Sequence, residues 1–166
     1  MEIDLTKFNY IINKQMDENW FAKEVKAFKI NGEIIIIKTF FDEEPERTRY
    51  FHEKNIYIML KDEDFLPKLK YFDNKNLKLG FTNVGDTIRI YKYKNKEQYN
   101  KLCEKFNKEI ININDILFDK YGIYHNDLRE KNICIDSQNK IRLIDFEFAG
   151  EKLRKGEKKY FVFHKI

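Results

Sequence analysis

His125-Asn126-Asp127-Leu128-Arg129-Glu130-Lys131-Asn132, followed by Leu143-Ile144-Asp145-Phe146-Glu147, is the stretch of this 166-residue chain on which its fold turns. Asp145 stands thirteen residues after Asn132. Two short apolar runs, 133–136 and 141–144, fill the interval on either side of Ser137-Gln138-Asn139, a turn signal. A polar loop therefore feeds a small hairpin that ends on a carboxylate. Asp and Asn are also ordinary turn formers. Turn chemistry alone, however, does not ask for His, Asp, Asn and Asp-Phe together behind a long amphipathic helix.

That helix is expected over 97–121. Its apolar stripe is Tyr99, Leu102, Cys103, Phe106, Ile110, Ile113, Leu117 and Tyr121, and Gly122 follows as a stop. Further upstream, Asn31-Gly32 predicts a tight hairpin between strands 24–30 and 33–39, the second ending near Lys38. Asp42, Glu43, Glu44 and Pro45 announce a helix to about residue 61, with Glu46, Tyr50, Glu53, Tyr57 and Leu60 on one face. Strands are expected at 77–82 and 87–93, and a short first helix from the spacing of Leu5, Phe8, Ile11 and Ile12. The order is α+β in two unequal parts.

The His125–Asn132 loop with Asp145-Phe146-Glu147 resembles the catalytic loop and metal-binding strand end of the protein-kinase-like superfamily. His125-Asn126-Asp127-Leu128 with Ile144-Asp145-Phe146-Glu147-Phe148-Ala149 is similar to choline, ethanolamine and aminoglycoside kinases, and bacterial lipopolysaccharide kinases are nearer in size. The resemblance implies a bilobal fold, an N-lobe over 1–93 and a shortened C-lobe over 94–166, with ATP and Mg²⁺ between them. Asp127 would orient an acceptor hydroxyl and take its proton, and Arg129 would reach the γ-phosphate. Asn132 and Asp145 would hold Mg²⁺, a hard cation suited to oxygen ligands. Lys38, 89 residues before Asp127, would contact the nucleotide phosphates. Its partner is expected to be Glu53, since a carboxylate on an apolar stripe needs a cation; Glu46 is the alternative. Cys134 would line the adenine pocket or simply be a buried strand cysteine.

The implied reaction is transfer of the γ-phosphoryl group to a hydroxyl, of a protein Ser/Thr or of a small molecule. A third reading is a pseudokinase that serves as a binding module, because no glycine occurs between Asn19 and Ala27, where the superfamily keeps its phosphate loop. His125 is expected to hold the loop rather than shuttle protons.

Composition excludes other classes. Cys103 and Cys134 lack disulfide-scaffold or zinc-site spacing. The apolar run 34–37 is far too short to span a bilayer, and no signal peptide is legible, so a cytoplasmic protein is expected. The 15 Phe, 10 Tyr and 1 Trp suffice for a core. The net charge of +4 sits in 151–166, where Lys152, Arg154, Lys155, Lys158, Lys159 and Lys165 outnumber Glu151 and Glu157. This segment reads as a solvated terminus or a contact for an acidic partner. Nucleic acid is not the expected partner.

Overall fold

The computed structural model describes residues 11–12 and 22–166. Its contacts divide the chain into two compact units, Met1–Asp62 with Pro67–Asn83, and Glu63–Leu66 with Val84–Ile166. The protein is α+β.

The first unit is a five-stranded antiparallel sheet in the order β1-β2-β3-β5-β4, with one helix. Strands β2 (Glu24–Ile30) and β3 (Glu33–Thr39) form the expected hairpin, with Ile30 opposite Glu33. Asn31 and Gly32 both take positive φ, 48° and 84°, as a two-residue turn between right-twisted strands requires. Strand β1 (Ile11–Ile12) pairs with β2, placing Ile11 opposite Phe28. The helix expected at 5–12 is thus corrected at its last two residues, and the rest of it lies outside the described residues, as do 19–21 of the glycine-free stretch. Helix α1 (Glu46–Met59) buries Tyr50, Glu53, Ile56 and Tyr57. It packs on β4 (Leu69–Asp73) and β5 (Lys78–Thr82), with the Tyr57 ring 4.4 Å from that of Phe81. On the sheet, Ile35, Ile37 and Tyr71 form a core cluster with Phe28 and Ile30 against it.

In the second unit, β6 (Asp86–Thr87), β7 (Ile133–Ile135) and β8 (Ile141–Leu143) form an antiparallel sheet in that order. Residues 87–93 are not the expected strand. Apart from Thr87 they belong to helix α2 (Ile88–Lys94). Ile88-Arg89-Ile90 alternates, but the adjacent Ile90-Tyr91 and then Lys92 break the pattern. Burial instead selects Ile88 and Tyr91, which are three apart and share a helical face. Tyr91 then donates its hydroxyl to Asn139 at 2.8 Å. Gly85, at φ 101°, leads into β6 beneath Ile135; a Cβ there would lie 2.1 Å from the Ile135 carbonyl oxygen.

Helix α3 (Lys96–Tyr121) buries Tyr99, Cys103, Phe106, Ile110, Ile113 and Leu117 of the expected stripe, leaves Leu102 and Tyr121 half-buried, and is closed by Gly122 in the left-handed conformation at φ 66°. Phe106, wholly buried, touches the rings of Tyr91, Tyr99 and Phe163. Most of 151–166 is exposed, as expected of a solvated segment, but Phe163 and Ile166 are held on α3. Asn107 donates to the Phe163 carbonyl at 3.1 Å and accepts its N–H at 2.7 Å. Asn100 does the same for Ile166, at 2.8 and 2.9 Å. Burying the Phe163 ring stabilises this docking by about 1.5–3 kcal/mol. Among the described residues no helix is long and apolar enough to cross a membrane.

Candidate functional site

In the first unit, Lys38 sits near the end of β3, opposite Val25 on β2 and Leu79 on β5. Lys38 is 4% exposed. Its Nζ donates to Glu53 Oε2 at 2.9 Å and lies 4.6 Å from the Phe40 ring centre. Glu53, 1% exposed, comes from the inward face of α1. Glu46, the alternative partner, is instead 3.7 Å from Arg49, one turn along the same helix.

In the second unit, the site is built around the backbone of Ile144. Its N–H donates to the Asn132 carbonyl at 3.0 Å, and its carbonyl accepts from His125 Nε2 at 2.9 Å. Both polar groups of the residue before Asp145 are therefore bound to the 125–132 loop. Asp145 follows with φ 64°, a left-handed conformation that costs a non-glycine residue on the order of 1 kcal/mol.

His125 has one tautomer compatible with its partners. Nε2–H donates to the Ile144 carbonyl, and Nδ1 accepts the Asp127 N–H at 3.2 Å. The ring is buried with its centre 4.6 Å from that of Phe146. Burial is the largest influence and holds its pKa below the ordinary histidine value, against the opposing pull of the Ile144 carbonyl and the Asp145 and Asp127 carboxylates. A neutral histidine bonded to backbone at both nitrogens is a brace.

Asn132, wholly buried, donates Nδ2 to Asp127 Oδ2 at 2.6 Å and to the Asp127 carbonyl at 3.0 Å. Both partners are acceptors, so the amide nitrogen must face Asp127 and the amide oxygen must face away. That oxygen is buried with no hydrogen-bond partner. The other Asp127 oxygen, Oδ1, meets the guanidinium of Arg129. Arg129 is exposed and also lies 3.9 Å from Glu157. Carboxylate oxygens of Asp145 and Glu147 approach within 4.8 Å of each other. Asn132 Oδ1 is thus a buried amide oxygen without a donor, and Asp145 with Glu147 is, separately, a close pair of carboxylates; all are hard oxygen donors. Cys134 is buried in β7 opposite Thr87 and Arg142.

Two residues carry more than their sequence suggested. Glu147 is 6% exposed, and its Asp-x-Glu spacing from Asp145 was the available signal. Asn126, at φ 64°, donates Nδ2 to the carbonyls of Phe148 at 3.1 Å and Lys152 at 2.9 Å. Its Oδ1 accepts the Arg154 N–H at 3.0 Å. One side chain thus ties the segment after Asp145 to the residue before Asp127. Asn126→Ala is expected to lower stability by about 1–3 kcal/mol, from the stranded backbone groups and the left-handed φ. Asn126→Gly removes the bonds without the strain and should lose less. Urea unfolding of both variants checks the order.

No protein-family model matches the chain. It is similar to the hormonally up-regulated neu tumor-associated kinase homolog of Xenopus tropicalis, at 25% identity over 152 residues, covering 86% of this chain and 21% of that protein. Homolog A of Xenopus laevis is also 25% identical over 152 residues, with 86% of this chain and 22% of that protein covered. The chain therefore spans about a fifth of the length of the curated relatives it matches. This chain is thus a distant, partial relative of proteins named as kinases.

Proposed function

We propose that the protein is an ATP- and Mg²⁺-dependent phosphotransferase with a bilobal protein-kinase-like fold, moving the γ-phosphoryl group to a Ser or Thr hydroxyl of a protein. The observation that carries this reading is the bonded pair of Asp127 and Asn132, with Asp145 anchored through Ile144 to the same loop.

Asp127 is buried and oriented by Asn132, so an acceptor hydroxyl meets a carboxylate that is already aimed. It turns that hydroxyl towards the phosphorus and takes its proton. Arg129 donates to the γ-phosphate oxygens as charge builds on them. Asn132 Oδ1 and the Asp145 carboxylate are the groups that would hold Mg²⁺, which when bound neutralises phosphate charge. Lys38, fixed by Glu53, contacts the nucleotide phosphates, and Cys134 lies under the adenine.

The test is a thermal-shift measurement with ATP and Mg²⁺. At a nucleotide concentration of about 100 Kd, binding adds roughly 2.7 kcal/mol and raises the melting temperature by about 5–10 °C. Asp145→Asn should show much less of this rise. The absence of any shift in the parent would sink the reading. The glycine-free stretch 19–27 favours a second reading, a pseudokinase that binds partners without transfer. It predicts ATP turnover no higher than that of Asp127→Ala. A small-molecule hydroxyl as acceptor is the remaining variant of the first reading.

A further inference from the structure

The Asn126 clamp has a consequence for what approaches Asp127. It fixes the backbone of Lys152 and Arg154 against the residue next to Asp127. The segment then turns, with Glu157 N–H donating to the Arg154 carbonyl at 3.0 Å and Gly156 at φ 85°. The turn brings Glu157 to Arg129, which itself pairs with Asp127. Residues 148–157 are therefore tied to the loop carrying Asp127 at both ends.

The charge on this strap is one-sided. Lys152, Arg154 and Lys155 on it, and Lys158 just past it, are all exposed. Of the two acidic residues in the segment, Glu157 already faces Arg129. No carboxylate among the described residues holds Lys152, Lys155 or Lys158. Lys152, Lys155 and Lys158 thus stand exposed, with no acidic partner among the described residues, on or next to the strap beside the loop that carries Asp127.

We propose that this strap is the acceptor-recognition surface and that it selects a Ser or Thr flanked by Asp and Glu in an extended acidic peptide. The transfer step rests on the phosphotransferase reading above; the binding step does not. In that step the acceptor oxygen forms a bond to the γ-phosphorus of ATP. The bond from phosphorus to the β,γ-bridging oxygen breaks, ADP leaves with its electron pair, and the hydroxyl proton passes to Asp127.

A peptide fits better than a small anion. The cations are exposed and spread over 152–158, whereas a small-molecule site gathers buried polar groups into one pocket. A peptide also fits better than a nucleic acid. The strap's aromatic ring, Phe148, already has the Arg154 guanidinium 4.0 Å over its centre, so its face is taken as a stacking platform.

The experiment uses two fluorescent peptides, one Ser flanked by Glu and one flanked by Lys, and a single-stranded oligonucleotide of equal charge to the first. Anisotropy without nucleotide measures binding, and transfer from ATP is measured separately. The acidic peptide should bind at least about tenfold more tightly than the basic one, and the difference should shrink with salt. Lys152→Glu/Lys155→Glu leaves the backbone bonds to Asn126 in place. It should raise KM for the acidic peptide about tenfold and reverse the preference, with an unchanged melting temperature. Equal binding of the two peptides, an unmoved preference in the double variant, or tighter binding of the oligonucleotide would overturn the proposal. A preference for the acidic peptide without transfer supports the surface and defeats the phosphotransferase reading. Transfer without preference does the reverse.

Discussion

Asp127→Asn is expected to lower phosphoryl transfer from ATP by about two to four orders of magnitude, the usual contribution of a positioned general base. Asparagine keeps the size of the side chain and an oxygen that Asn132 Nδ2 can still reach, so the loop should stay folded. What it loses is the ability to take a proton and the charge facing Arg129. Asp127→Ala removes the same chemistry and also leaves the buried Asn132 amide without its side-chain partner. It should therefore match the Asn variant in rate and fall below it in stability. Single-turnover transfer, measured beside a denaturation curve for each variant, separates the two effects. A rate for Asp127→Asn within a few-fold of the parent would show that Asp127 takes no proton, and the proposed mechanism would be lost.

The legible parts of this molecule are those in which one physical demand has one answer. Asn31-Gly32 meets a turn that needs two positive φ values, and the hairpin forms there. The Tyr99–Leu117 stripe can be buried only as a helix, and α3 has nearly its expected bounds. Glu53 is readable because a carboxylate among apolar neighbours requires a cation, and Lys38 was the available one.

Strand β4 was not expected, because its inward residues are Tyr71 and Asp73, and an inward carboxylate looks like a loop residue. Asp73 is in fact satisfied by its own turn, accepting from the Lys75 and Asn76 backbone at 2.9 and 3.0 Å and from the Asn76 amide at 2.6 Å. Helix α2 takes the place of an expected strand: the alternation begun by Ile88-Arg89-Ile90 breaks at Tyr91, while burial falls on Ile88 and Tyr91. Asn126 was illegible for a different reason. Its partners are backbone atoms 22 to 28 residues away, and backbone atoms leave no mark on a sequence.

Glu53→Ala should have the largest effect on stability, about 3–5 kcal/mol, because it strands the Lys38 ammonium in the interior. The side chains are 5% and 1% exposed for Lys38 and Glu53, so water cannot replace the lost partner. A loss of that size is a large part of the roughly 5–15 kcal/mol that holds a domain folded. The paired replacement Lys38→Met/Glu53→Leu removes both charges and their desolvation cost together. It is expected to recover most of the loss, and buried pairs exchanged in this way are often no less stable than the original. The two variants then separate two explanations for the pair. If the ion pair exists only to hold the sheet on α1, the double variant should fold well and keep the ATP-dependent rise in melting temperature. If it exists to keep an ammonium aimed at phosphate, the double variant should fold well and lose the ATP-dependent rise in melting temperature. The second outcome is the expected one, since an apolar pair would serve a purely structural contact at least as well. A double variant that keeps the full nucleotide shift would remove Lys38 from the proposed site.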